Sequence, residues 1–75
     1  MKAMKAARLM RTLQSKPLEY TVTRQNGSHR RLESANGFPP LTFSFHDSRE
    51  LSPNEVRKVL CKDIGLSESI ARGLL

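Results

Sequence analysis

The chain has a single cysteine, no tryptophan, only four aromatic residues (one Tyr and three Phe) and no long apolar run. Cys61 alone excludes an intrachain disulfide, and one cysteine beside two histidines is too few for a structural zinc site without carboxylates. No metal or cofactor is therefore expected, and a reducing, cytoplasmic setting fits best. No stretch approaches the length of a membrane span. A secretory signal is not expected either, because Lys2, Lys5, Arg8 and Arg11 interrupt the N-terminal region before the ~7 apolar residues such a signal needs. An organellar presequence would remove nearly a quarter of so short a chain, which argues against it.

Acid is also scarce, and in one place. Residues 1 to 31 carry eight basic groups against Glu19 alone, a net of +7, whereas the remaining 44 residues carry five basic and six acidic groups, a net of −1. One-sided positive charge attracts a polyanion through counterion release, and nucleic acid is the commonest polyanion in a cytoplasm. The bland reading of the same charge is a solvated face of an ordinary domain. Seventy-five residues hold one small domain, expected over 1–75, and exclude two-domain enzymes and large cofactor folds. At this size only about 60% of the unfolded surface is buried, so the core is marginal.

What is present reads as helix, three strands, helix, short helix. Ala3, Ala6, Leu9, Met10 and Leu13 recur at three and four, which predicts an amphipathic helix from Lys2 to Ser15, ended by Pro17. Its basic face opposes its apolar one, yet the Ala and Met stripe is thin and lacks large aromatics. A membrane-surface role is therefore poor, and no membrane partner is expected. Strands are predicted over Glu19–Gln25, Ser28 to about Glu33, and Leu41–His46, with Asn26-Gly27 as the first turn. The alternation of the third buries Leu41, Phe43 and Phe45. Ser52, Pro53 and Glu55 spell a capped helix start with Val56, Val59 and Leu60 as its apolar stripe. Gly65 marks its end, and Ser67 opens a last helix carrying Ile70, Leu74 and Leu75. The expected architecture is α+β, a three-stranded antiparallel sheet with helices on one face. If Leu32 faces the core, parity puts Ser28 and Arg30 with it and places His29, Arg31 and Glu33 on the open face. His46 is expected to share that surface with His29, subject to strand register.

Chemistry concentrates in Arg24-Gln25-Asn26-Gly27-Ser28-His29-Arg30-Arg31. A histidine after a glycine turn can exchange a proton near neutral pH while adjacent guanidinium groups hold a phosphate. RNA carries its own nucleophile in the 2′-OH, so such a site needs only orientation, proton transfer and charge stabilisation. The plainer reading is that His29 decorates a hairpin. Cys61 reads as a helix boundary residue, Asp47 and Glu50 as a polar loop, and Tyr20, Phe43 and Phe45 as core rather than stacking platforms.

The run Arg24-Gln25-Asn26-Gly27-Ser28-His29, then Leu41-Thr42-Phe43-Ser44-Phe45-His46, Glu50-Leu51, Val59-Leu60 and Gly65-Leu66-Ser67, in that order from Ala6 to Leu66, resembles the HicA-type (YcfA-like) messenger-RNA interferase toxins. Family members usually have a glycine just before the first strand, where this chain has Pro17-Leu18, and often a proline where it has Ser44. The resemblance implies a double-stranded-RNA-binding-like α-β-β-β-α fold in a bacterial or archaeal cytoplasm. It implies metal-independent RNA cleavage by the histidine at position 29, with neutralisation by a HicB-type antitoxin. Phosphate contacts are then expected from Arg24, Ser28, Arg30, Arg31, Lys5 and Arg8, with His46 in support. The free toxin is expected to be monomeric, with the antitoxin over the His29 face. The alternative is a noncatalytic RNA-binding module of similar fold.

Overall fold

A computed structural model describes all 75 residues. Its elements are β1 (Met4–Lys5), α1 (Ala6–Gln14), β2 (Tyr20–Asn26), β3 (His29–Ser34), β4 (Leu41–Phe43), β5 (Glu50–Leu51), α2 (Pro53–Arg57) and α3 (Glu68–Leu74). A π-helical stretch, Lys58–Asp63, continues α2. Strands β2, β3 and β4 form one antiparallel sheet in that order, and β1 pairs with β5 in a separate two-residue clip. The α+β layout expected from the sequence is present.

The first helix starts four residues later than its periodicity predicts. Met4 is buried in β1 while Ala3 is exposed, so the stripe that reaches the core is Ala6, Leu9, Met10 and Leu13. No side chain caps the helix. Instead the Ala6 and Ala7 amides donate to the carbonyls of Arg49 (2.9 Å) and Asp47 (3.1 Å), so the turn at His46–Arg49 satisfies groups that a helix start leaves open. Lys5 Nζ donates to Ser48 O across the same junction at 3.1 Å. Two residues are too short for a strand to show in periodicity, which is why β1 and β5 are absent from the sequence reading.

The β2–β3 turn is Gly27-Ser28, one residue past the Asn-Gly expectation. Gly27 has φ +63° and is the turn's first central residue, with no positive φ at Ser28, the pattern of a type II′ hairpin. The residue before β2, Glu19, adopts φ +51°, a left-handed conformation that costs any residue with a Cβ. Strand β4 stops at Phe43 rather than His46. Beyond it, Arg30 Nη2 draws the chain off the sheet by donating to Phe45 O (2.8 Å) and Asp47 Oδ1 (2.9 Å). Phe45 stays half-buried, edge-on to Phe43 at 5.3 Å.

Ser52 closes the expected capping box with Glu55, and Gly65 ends the π-helical stretch at φ +90°. In α3 the buried residue is Ala71, whereas Ile70, one of the apolar residues the sequence places on this helix, is 55% exposed. Sixteen apolar residues form one core with no buried polar residue, and Leu9, Leu13, Tyr20, Leu32 and Phe43 lie at its centre. Truncating one of those leucines to alanine costs about 2–5 kcal/mol by loss of transfer energy and creation of a cavity. The helices take the Leu32 face of the sheet, which leaves the other face open.

Candidate functional site

Strand pairing builds the open face. Directly opposed residues share a face, and the register pairs Thr21 with Glu33, Arg24 with Arg31, Asn26 with His29, and Arg31 with Thr42. Simple alternation from Tyr20 and Val22 would put Arg24 on the helix side. A bulge between Val22 and Arg24 inserts Thr23 and turns Arg24 over, so that it stands opposite Arg31. Thr23 fixes the bulge by donating from Oγ1 to Glu33 Oε2 at 3.2 Å and lying 3.3 Å from Arg31 O. Thr23, Arg24, Arg31 and Glu33 line one shallow concavity. His29 lies two residues before Arg31 on this face and is exposed.

Two arginines directly opposed across a ladder repel, and neither Arg24 nor Arg31 has an acidic partner. The imbalance is general. All five ion pairs use acids of the C-terminal half (Asp47, Glu55, Asp63 and Glu68), and among the eight basic residues up to Arg31 only Arg30 is paired. Lys2, Lys5, Arg8, Arg11, Lys16, Arg24 and Arg31 therefore remain uncompensated cations. Exposed, unneutralised charge of one sign is what an anionic ligand requires.

Arg30 is built differently from its neighbours. Its side chain is only 12% exposed, its guanidinium lies 5.4 Å from the Phe43 ring centroid, and its Nε is buried without a hydrogen-bond partner. It anchors the segment after β4. Parity thus puts Arg30 with Leu32, as the sequence indicates, but its Nη2 is engaged inside the chain, on Phe45 O and Asp47 Oδ1.

The two histidines stand apart. Because β4 ends at Phe43, alternation does not carry His46 to the open face. His46 lines a notch of about 110 Å³ on the other side of the hairpin with Gln25, Gly27, Ser28, Arg30, Phe45 and Asp47, and His29 is not among them. Ser28 belongs to that notch as well. Lys5 sits at the α1 junction, and Arg8 lines a groove on the outer face of α1 with Arg11, Thr12, Ser15, Lys16 and Leu74. The structure therefore gathers His29, Arg24 and Arg31 on one surface, Ser28, Arg30 and His46 at a second, and Arg8 at a third. The sequence reading passed over Arg11 and Lys16 as site residues, although their place in the acid-free N-terminal run signals them. No group of three or more His, Cys, Asp or Glu is placed to hold a metal, and no helix is long and apolar enough to cross a membrane.

Compared with known families, residues 7–66 match the family described as the HicA toxin of bacterial toxin–antitoxin systems, four fifths of the chain and all of the strands of the larger sheet. Neither the curated proteins nor the solved structures yield a match.

Proposed function

The chain belongs to the HicA toxins of bacterial toxin–antitoxin systems, and from that membership together with the opposed arginines beside His29 we propose that it is an endoribonuclease acting on messenger RNA in the cytoplasm. The observation that carries the reading is the Arg24–Arg31 pair. A fold that uses a bulge to oppose two uncompensated guanidinium groups has a place for a phosphate, which would turn their repulsion into attraction. Arginine suits this because its charge persists at every working pH and its fork matches two phosphate oxygens.

A phosphodiester seated there lies beside His29. In the cleavage step the 2′-oxygen bonds to phosphorus, the P–O5′ bond breaks, the 2′-OH gives up its proton and the departing 5′-oxygen takes one. His29 performs one of these transfers and water the other, while Arg24 and Arg31 stabilise the charge that gathers on the nonbridging oxygens. The products are a 2′,3′-cyclic phosphate and a 5′-hydroxyl. The RNA supplies the nucleophile, so the step calls on no metal. A HicB-type antitoxin would neutralise the toxin by covering this same face, where acidic groups on the partner complement the free arginines.

His29→Ala tests the reading. Loss of a positioned proton-transfer group costs ~10²- to 10⁴-fold in rate while binding persists. The variant should fold, bind RNA and the antitoxin, and fail both to cleave RNA and to arrest growth. His46→Ala should be milder. Cleavage should survive EDTA, and wild-type cleavage by a verified His29→Ala preparation would refute the assignment. One observation favours the noncatalytic alternative: no hydrogen bond within the chain orients the His29 ring, whereas catalytic bases are commonly held by a third group. Purified protein that binds RNA without ever cutting it would select that alternative.

A further inference from the structure

We infer that the groove on the outer face of α1 is a second phosphate-binding subsite for RNA, separate from the His29 face, which holds the backbone of long substrates without taking part in the chemistry. This inference rests on the RNA reading above. Three of its six lining residues, Arg8, Arg11 and Lys16, carry positive charge, and none has an acidic partner. Arg8 and Arg11 are three residues apart and so neighbours on the helix surface, and Lys16 follows just past the helix end.

The rest of the lining says what kind of contact this is. Thr12 and Ser15 turn their hydroxyl protons inward, onto the carbonyls of Arg8 and Arg11 (3.4 and 2.7 Å), so the charged groups are the donors left for a ligand. Leu74 is the sole apolar member, and no aromatic ring is present on which a base could stack. Long cationic side chains without a stacking platform contact phosphates rather than bases, which makes the grip independent of sequence.

Position separates this groove from the proposed chemistry. The opposite face of α1 is buried through Ala6, Leu9, Met10 and Leu13, so the groove points away from the sheet, whereas Arg24, His29 and Arg31 lie on the sheet's far face. The molecule's Cα extents are 31 × 28 × 18 Å. A strand reaching both surfaces has to pass around an edge of the domain, which a long RNA can do and an oligonucleotide of a few residues cannot.

The test is a pair of variants of the full chain, Arg11→Gln/Lys16→Gln and the charge-keeping Arg11→Lys/Lys16→Arg, compared with wild type in filter binding of a long unstructured RNA across a salt series. Two lost phosphate contacts should lower the slope of log K against log salt by about 1.4, since each contact to a single strand contributes roughly 0.7. The charge-keeping variant should retain the wild-type slope. In cleavage, KM for the long RNA should rise with kcat unchanged, and a short oligonucleotide should be cut as by wild type. An unchanged slope in the glutamine variant while wild type binds and cleaves RNA would overturn the subsite alone. Weakened antitoxin binding with RNA binding intact would overturn it in favour of a protein interface. Wild type that binds no RNA would overturn the function reading and the subsite together.

Discussion

Removing one of the opposed arginines should make the protein more stable and less able to bind RNA. Arg24 and Arg31 face each other across β2 and β3, exposed and without counterions. Opposed Cβ atoms on a ladder lie about 5 Å apart, and like charges there destabilise by about 0.2–1 kcal/mol, an amount limited by splaying of the long side chains into water. Arg24→Gln deletes the charge but keeps a polar, exposed side chain with the same first three carbons, so it should raise stability by that amount, a rise in Tm of roughly 1–8 °C for a domain of this size. Arg31→Gln should do the same, and the double variant should gain less than the sum of the two, because the first substitution has already removed the repulsion. Thermal unfolding at low salt, repeated at 1 M where the Debye length falls to about 3 Å, is the assay, and the gain should vanish at the higher salt. RNA affinity should fall in both single variants. A salt-insensitive destabilisation in either single variant, with additive effects in the double, would show that the two guanidinium groups do not confront one another and would remove the basis for the phosphate site.

Other outcomes follow from the local packing. Arg30→Met retains apolar contact with Phe43 but releases Phe45 O and Asp47, and should cost about 1.5–3 kcal/mol in urea unfolding, the range for hydrogen bonds made by a charged donor. Asp47→Asn should cost under about 1 kcal/mol, because that carboxylate is 64% exposed. Glu19→Gly should relieve the left-handed backbone cost of about 1–2 kcal/mol at the price of the extra chain entropy of glycine, for a net gain near 0.5 kcal/mol by denaturant melts. Burial raises the pKa of Tyr20 above the ordinary value of 10.0, and its hydroxyl donates to Pro39 O. A phenol held neutral in the folded state loses its stabilising effect as pH rises past 10.0, the pKa of the unfolded chain, so stability should decline above that value. Tyr20→Phe should blunt the decline, as measured by alkaline unfolding.

The sequence alone determined the elements whose signals are local. The capping box at Ser52 and Glu55, the glycine stop at Gly65 and the apolar stripe of α1 are each written within one or two helical turns, and the hairpin is marked by a glycine beside Asn26. Parity from Leu32 likewise placed Arg30 inward and His29 and Arg31 outward, because two-residue alternation holds wherever a strand stays regular. The charge asymmetry marked the N-terminal half, and the ion pairs sharpen it, since every acid that neutralises an arginine or lysine belongs to the other half.

Tertiary structure decided what depends on distant partners. The bulge at Thr23 is a misfit between two strands, invisible in either alone, and it is what turns Arg24 toward Arg31. The end of β4 at Phe43 is set by Arg30, thirteen residues upstream in sequence, whose guanidinium captures Phe45 O and Asp47 and so separates His46 from His29. The β1–β5 clip and the capping of α1 by the His46–Arg49 turn join segments forty or more residues apart. Two-residue strands have no periodicity of their own to read. Their pairing exists only because the core brings Met4 and Leu51 together out of water, a cooperative event that no local pattern encodes.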